Sequence, residues 1–155
     1  MRTVELNDLA ALARNHHPLS ISIYMPSHRG GSQTRQDPIR FRNLLRMAEQ
    51  QLVEHGIGHG TAQKRLAALH DLIHDTGFWR NQDSGLAVFL NDKTQEIFSL
   101  PYDTEQIVFI GDNFYLKPLL PMISRDAPFF ILALSQDQVR TFECTRYSIN
   151  EVHIK

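Results

Sequence analysis

Residues 19–26 read Leu-Ser-Ile-Ser-Ile-Tyr-Met-Pro, an alternation of large apolar and small polar side chains that stops at a proline. Because successive side chains of a strand point to opposite faces of a sheet, this alternation predicts a strand with one buried face. A polar, glycine-containing loop at 27–36 follows and leads into Asp37-Pro38. We expect the Asp37 carboxylate to cap a helix there and Pro38 to lie in its first turn, where a missing amide is harmless.

Three segments around this strand have the 3.6-residue apolar periodicity of amphipathic helices. They are residues 4–14, residues 37–55, and a segment that starts at Thr61, its expected N-cap, and stops at Gly77. The predicted apolar faces consist of Leu6, Leu9, Ala10 and Ala13; of Phe41, Leu44, Leu45, Ala48 and Leu52; and of Ala62, Leu66, Leu69 and Ile73. Each helix therefore has one face to bury against a sheet.

Beyond Trp79, which we expect to anchor the core, the apolar period changes to two. The runs at 85–90, 96–100 and 106–110 predict a three-stranded meander, which would join the strand at 19–25 in a four-stranded sheet. The order of one strand, two helices and a meander predicts an α+β fold with the sheet covered by helices.

The last part of the chain predicts a short helix begun at Pro118 and then a three-stranded antiparallel piece. The expected strands are 129–134, 139–144 and 149–154, with Gln136-Asp137-Gln138 as the first turn. Because this piece would expose an apolar face, we expect it either to dock back or to continue beyond residue 155.

The composition is that of an ordinary folded domain: 155 residues, 42% hydrophobic and 21% charged. It excludes a disordered chain and a coiled coil, and the length allows one domain or one domain and a fragment. The net charge of -1 indicates no polyanionic partner, so any such partner must be recognised by a local patch. A single cysteine, Cys144, excludes an intramolecular disulfide, and neither a signal sequence nor a long apolar run is present, so we expect a cytoplasmic location and no membrane partner.

Several strings together are similar to one known family. They lie at 20–30, 36–45, 85–89, 111–120, 132–140 and 144–146, and the first two read Ser-Ile-Ser-Ile-Tyr-Met-Pro-Ser-His-Arg-Gly and Gln-Asp-Pro-Ile-Arg-Phe-Arg-Asn-Leu-Leu. Over about residues 19–152 the chain resembles the bacterial homologues of the archaeo-eukaryotic class 1 peptide-chain release factor. Ser27 departs from the threonine expected there but keeps the hydroxyl.

The resemblance implies a three-domain protein more than twice this length. Residues 1–112 would be its N-terminal α+β domain, and residues 113–155 the incomplete beginning of the middle domain. In release factors the middle domain carries a Gly-Gly-Gln loop that reaches the peptidyl-transferase centre. That tripeptide does not occur in this chain, and the similar Gly30-Gly31-Ser32-Gln33 would lie in the wrong domain, so we assign it no hydrolytic role. The task that the resemblance implies is translation-associated recognition, with ribosome rescue as one form of it.

The segment from His28 to Arg46 is locally basic, with five arginines against the single acid Asp37. Guanidinium groups match phosphate oxygens, so the segment is a candidate contact for ribosomal or transfer RNA. The candidate phosphate-binding residues are Ser27, His28, Arg29, Arg35, Arg40, Arg42 and Arg46. The alternatives are a solvated helix flank beside a mobile loop, or a site for small anions. Tyr24 is the nearby aromatic residue, which favours phosphate contact over base stacking.

Other candidate chemistry is weaker. His70 and His74 have the i, i+4 spacing of zinc metalloproteases, with Asp71 where those enzymes have glutamate, so a metal-dependent hydrolase is one alternative function. Partly buried structural histidines are the simpler interpretation, and we predict no metal and no other cofactor.

No base is identifiable beside Cys144, so we predict a structural thiol and no catalytic residue in this chain. A third alternative is a protein interaction module that pairs with a partner or with a second copy of itself through the strand edge after Phe129.

Overall fold

The computed structural model describes residues 2–123, 129–135, 139–144 and 148–152. The chain forms two compact units, Met1–Pro121 and Met122–Lys155. In chain order the helices and strands are α1 (Leu6–Ala13), β1 (His16–Pro26), α2 (Asp37–Glu54), α3 (His59–Leu72), α4 (Thr76–Arg80), β2 (Gly85–Leu90), β3 (Gln95–Leu100), β4 (Ile107–Asn113), α5 (Leu120–Ile123), β5 (Phe129–Leu134), β6 (Val139–Cys144) and β7 (Ile149–Val152). Single 3₁₀ turns at Ser32–Arg35 and Lys117–Leu119 precede α2 and α5.

The first unit has a four-stranded antiparallel sheet with the strand order β3-β2-β1-β4, which confirms the α+β fold class. The predicted meander is wrong in one connection, because β4 pairs with β1 rather than with β3. The physical reason lies in β1, whose six residues from Ser20 to Met25 are all buried. A buried strand needs hydrogen-bonding neighbours on both edges, and a meander would have left one edge of β1 without a partner.

One face of the sheet packs against α2, α3 and α4 and forms the main core. In α2 the buried apolar residues are those that the periodicity predicted: Phe41, Leu44, Leu45, Ala48 and Leu52. They pack with Ala62, Leu66 and Leu69 of α3, with Ile21, Ile23 and Met25 of β1, and with Trp79 of α4. Trp79 is therefore the core anchor expected from sequence, and its indole N–H donates to the carbonyl of Leu72 at 2.8 Å.

The opposite face of the sheet is also covered, so β1 is buried on both faces rather than on the one face that was predicted. The hydroxyl of Ser22 accepts a hydrogen bond from the backbone N–H of Tyr115 at 2.9 Å, and the Tyr24 hydroxyl donates to the Tyr115 carbonyl. Phe89 of β2 meets the ring of Phe114 with 5.3 Å between centroids. Small polar side chains can lie in a core when each has a hydrogen-bond partner, which the alternating pattern could not reveal.

The helix ends differ from those predicted at two places. Helix α1 begins at Leu6, two residues later than predicted, and the backbone N–H of Glu5 donates to the carboxylate of Asp8 at 2.9 Å. Its predicted apolar face is wrong in part, because Leu9 is buried but Leu6, Ala10 and Ala13 are exposed, and Leu12 is buried instead. Helix α3 begins two residues before Thr61, with Gly58 as its N-cap residue. It ends at Leu72, and the separate helix α4 contains the glycine at which a single helix was expected to stop.

The second unit contains a three-stranded antiparallel sheet in the order β5-β6-β7, as predicted. The predicted turn at 136–138 and the end of the third predicted strand at 153–154 lie outside the described residues. The apolar residues Phe130, Leu132 and Leu134 of β5 are exposed, whereas Cys144 is a buried free thiol. Among the described helices none is long and apolar enough to cross a membrane.

Candidate functional site

Asp37 organises the loop that precedes α2. Its side chain has no exposed surface, and its carboxylate accepts a hydrogen bond from the backbone N–H of His28 at 3.0 Å and from the guanidinium of Arg40 at 2.8 Å. The Nδ1 atom of His28 lies 2.9 Å from the same carboxylate. The predicted capping role is wrong, because Gln36 is the N-cap residue and Asp37 turns toward the loop instead. A buried carboxylate requires several donors, and here these donors fix the start of the loop to the start of α2.

Ser27 also holds the loop in place. Its backbone N–H donates to the carbonyl of Ser84 at 3.0 Å, and its hydroxyl donates to the carbonyl of Asp83 at 2.8 Å. The side chain is buried, so the hydroxyl is part of the fold. In the sequence analysis Ser27 is a candidate phosphate ligand. In the structure its hydroxyl already has a hydrogen-bond partner within the fold, which the sequence could not show.

Three arginines meet at a cleft of about 380 Å³ beside this loop. They are Arg29, Arg35 and Arg80. The remaining lining residues are neutral: Gly30, Gly31, Thr34, Pro38, Ile73, Thr76 and Trp79. The loop can turn into its 3₁₀ segment here because Gly31 has a φ of 89°, a conformation in which a side chain would be strained. The cleft therefore has cationic side chains, and none of the described residues that line it carries a carboxylate.

Arg80 is the functional candidate that sequence reasoning missed. It lies on α4, far along the chain from the basic segment, and only the tertiary fold brings it to the loop. A signal was present in the string Phe78-Trp79-Arg80, since an arginine next to a core tryptophan must lie at the boundary of the core. That signal does not show that Arg80 lies beside the loop, because this depends on which helices pack together.

The arginines differ in their partners. Arg29 pairs with Asp83 at 2.9 Å, and Arg40 pairs with Asp37. By contrast, no ion pair joins the other four to a carboxylate in the part of the chain that the structure describes: Arg35, Arg42, Arg46 and Arg80. An unpaired guanidinium keeps all its donors for an external anion, whereas a paired one must first leave its carboxylate.

Arg42 and Arg46 continue the positive charge along α2. They follow Pro38, which lines the cleft, by one and two helical turns, so the three side chains share one side of the helix. At the far end Arg46 borders a shallow depression that also contains Glu49 and His59, whose side chains lie 3.6 Å apart. We call Arg35, Arg42, Arg46 and Arg80 the basic side of the first unit.

The structure does not support the helical metal motif. His70 belongs to α3, but α3 ends at Leu72, so His74 lies in the turn beyond it rather than one helical turn along the same helix. Across the described ranges, no group of three or more His, Cys, Asp or Glu side chains is placed to hold a metal ion. The hydrolase alternative therefore loses the geometry on which it depended.

Comparisons with known proteins give a fold and no family. No family model matches the sequence, and no curated protein is significantly similar to it. A solved structure described as an archaeal protein is similar over 99% of this chain and 45% of its own, with a TM-score of 0.55 and 17% identity. The crystal structure of the archaeal translation termination factor aRF1 is similar over 94% of this chain and 41% of its own, with a TM-score of 0.52 and 18% identity. The chain thus has a release-factor-like fold and spans less than half the length of each of these two structures.

Proposed function

We propose that this chain is the recognition part of a release-factor-like, translation-associated protein of the cytoplasm. In this proposal residues 1–112 form an N-terminal domain and residues 113–155 begin a middle domain, with ribosome rescue as the translation-linked task. The partner is the ribosome or transfer RNA, held through its phosphates. The observation that carries the proposal is the basic side, four arginines that have no carboxylate partner among the described residues, on a fold similar to that of aRF1.

The roles of the candidate residues differ within this proposal. Arg35, Arg42, Arg46 and Arg80 contact phosphate oxygens directly, because guanidinium groups without a carboxylate partner are the strongest available phosphate ligands here. Arg29 lines the cleft and also pairs with Asp83, so only part of its guanidinium group is available to a phosphate. Ser27, His28 and Arg40 act indirectly, by holding the loop through the contacts with Asp83 and Asp37. These direct and indirect roles are predictions.

Co-sedimentation with purified ribosomes across a salt series tests the proposal. Each lost phosphate contact should reduce the slope of log affinity against log salt by about 0.7–0.9. The double variants R35A/R80A and R42A/R46A should therefore each reduce the slope by about 1.4–1.8 and weaken binding at low salt. The double variant R14A/K93A is a matched control, since it removes two exposed cations without ion pairs among the described residues. Salt-insensitive binding, or an equal loss in R14A/K93A, would contradict the proposal.

Self-association is a second candidate, favoured by the exposed apolar side chains of β5. Phe130 and Leu134 are 63% and 71% exposed, and β5 pairs with β6 alone among the described strands. An unpaired strand edge with apolar side chains can add a strand from a second copy of the chain. Light scattering at increasing protein concentration tests this candidate.

A further inference from the structure

The arginine-lined cleft has an apolar floor that phosphate contact alone would not need. Pro38, Ile73 and Trp79 line it together with the three arginines. We propose that this cleft binds one nucleotide unit, with the base on the apolar floor and the phosphate on Arg35 and Arg80. The inference rests on the proposed function for the RNA source of that nucleotide, and it goes beyond it by adding recognition of a base.

The charges of the cleft match a phosphate. Arg35 and Arg80 have exposed side chains and no carboxylate partner among the described residues, and no acidic residue lines the cleft. Arg29 also lines the cleft, but its guanidinium group pairs with Asp83 at 2.9 Å. Fewer of its donors are therefore available to a phosphate. Two available guanidinium groups within one concave site suit one phosphate group, since each can donate two parallel hydrogen bonds to its oxygens.

The shape and polarity of the cleft match a flat, largely apolar ring. Its volume of about 380 Å³ lies in the range of about 300–1,000 Å³ typical of small-molecule sites. Gly30 and Gly31 form part of its wall, and a Cβ added at either glycine would meet no atom within 4 Å. A wall without side chains leaves room for a ring to approach the backbone closely. Ile73 and Trp79 belong to the core, at 7% and 4% exposed, and the small apolar surface that they present to the cleft would not be used by an extended phosphodiester alone.

Trp79 provides a direct signal for occupancy, because it is the one tryptophan of the chain. It is 4% exposed and borders the cleft, so a bound ring would change the surroundings of the indole while the fold stays intact. We would titrate the full chain with AMP, with the trinucleotide ApApA lacking a terminal phosphate, with ribose 5-phosphate and with inorganic phosphate. Calorimetry under the same conditions gives a measurement independent of the fluorophore.

We expect a saturable change of Trp79 fluorescence with AMP, with ApApA or with both, and binding at least tenfold tighter than for ribose 5-phosphate or phosphate. Binding by ApApA alone would assign the site to an RNA strand, and binding by AMP alone to a free or terminal nucleotide; both support the inference. The variant R35A/R80A should weaken binding at least tenfold, whereas R14A/K93A should bind as the wild type. Because Arg35 and Arg80 are exposed, loss of folding is not expected to complicate the comparison.

Two results would overturn the inference. The first is no saturable change and no heat with either nucleotide at millimolar concentration. The second is binding of ribose 5-phosphate as tight as that of AMP, which would show that the floor recognises no base. Either result leaves the proposed function standing if ribosome binding still depends on the arginines, so the two failures are distinguishable.

Discussion

His28 and Asp37 are joined at two points, since both the backbone N–H and the Nδ1 atom of His28 lie within 3.0 Å of the Asp37 carboxylate. The Asp37 side chain is completely buried, while the His28 side chain is 30% exposed. The pair therefore connects the end of β1 to the first turn of α2 and determines where the arginine-bearing loop lies. The position of the basic side thus depends on one buried carboxylate.

Replacing Asp37 with asparagine should destabilise the first unit. The amide keeps the shape but loses the charge that strengthens the bonds from His28 and Arg40. Hydrogen bonds to charged groups contribute about 1.5–3 kcal/mol each. Because the amide still accepts some of these hydrogen bonds, we expect the free energy of unfolding to fall by about 1–3 kcal/mol. Urea denaturation followed by Trp79 fluorescence measures it. Asp71→Asn is the matched control, an exposed carboxylate on α3 that should change stability by less than about 0.5 kcal/mol. Equal midpoints for the two variants would contradict this account.

Gly85, at the start of β2, should not tolerate a side chain. A Cβ built there would lie 2.5 Å from the carbonyl oxygen of Tyr102 and 3.2 Å from the side chain of Leu100. Backbone must shift to relieve such a contact, and overpacking of this kind costs about 1–3 kcal/mol. Gly85→Ala should lower the free energy of unfolding by that amount. Gly30→Ala, whose Cβ meets no atom within 4 Å, should leave it within about 0.5 kcal/mol of the wild type, and a similar loss in both variants would rule out the steric cause.

Local sequence patterns predicted most elements of the fold, because apolar period and turn chemistry act within a few residues. The apolar face of α2 agrees with the buried residues of that helix, and β5 and β6 agree with the predicted strands. The position of β4 was not predictable in the same way. Its pairing with β1, as between Ile21 and Ile110, joins segments about ninety positions apart in the chain, and local patterns carry no information about such a contact.

The candidate site was predicted in part, for a related reason. The cluster of arginines near α2 is visible in the sequence, but which of them are paired is a property of the fold. Asp83 reaches Arg29 from a distant loop, and Arg80 arrives on a separate helix. The buried position of Asp37 reverses its expected role, because a capping aspartate and a loop-fixing aspartate have the same local sequence.

The carboxyl of Asp92 should titrate below its usual range. The side-chain hydrogen bond from Arg65 lowers the pKa of Asp92, desolvation opposes this, and the charges of Arg65 and His17 lower it further. NMR titration of Arg65→Ala should show the pKa of Asp92 raised toward 3.8, whereas Arg14→Ala should leave it unchanged. Because the folded-state pKa is depressed, the pair stabilises the fold above the unfolded pKa of about 3.9, and that stability is lost as pH falls through the folded pKa. An unchanged pKa in Arg65→Ala would contradict the assignment.

The exposed strand β5 should make the chain self-associate. On one face of the strand, Phe130, Leu132 and Leu134 are 63%, 55% and 71% exposed, and a second copy that pairs with β5 would cover them. Light scattering should then show an average mass that rises with concentration. A charge at Leu134 would have to be buried at such an interface, so Leu134→Glu should shift the rise to concentrations at least tenfold higher. Met47→Glu adds the same charge on an exposed position of α2 and should leave the rise unchanged. A wild-type chain that stays monomeric at every concentration would exclude self-association through β5, because the apolar row would then have no second copy as its partner.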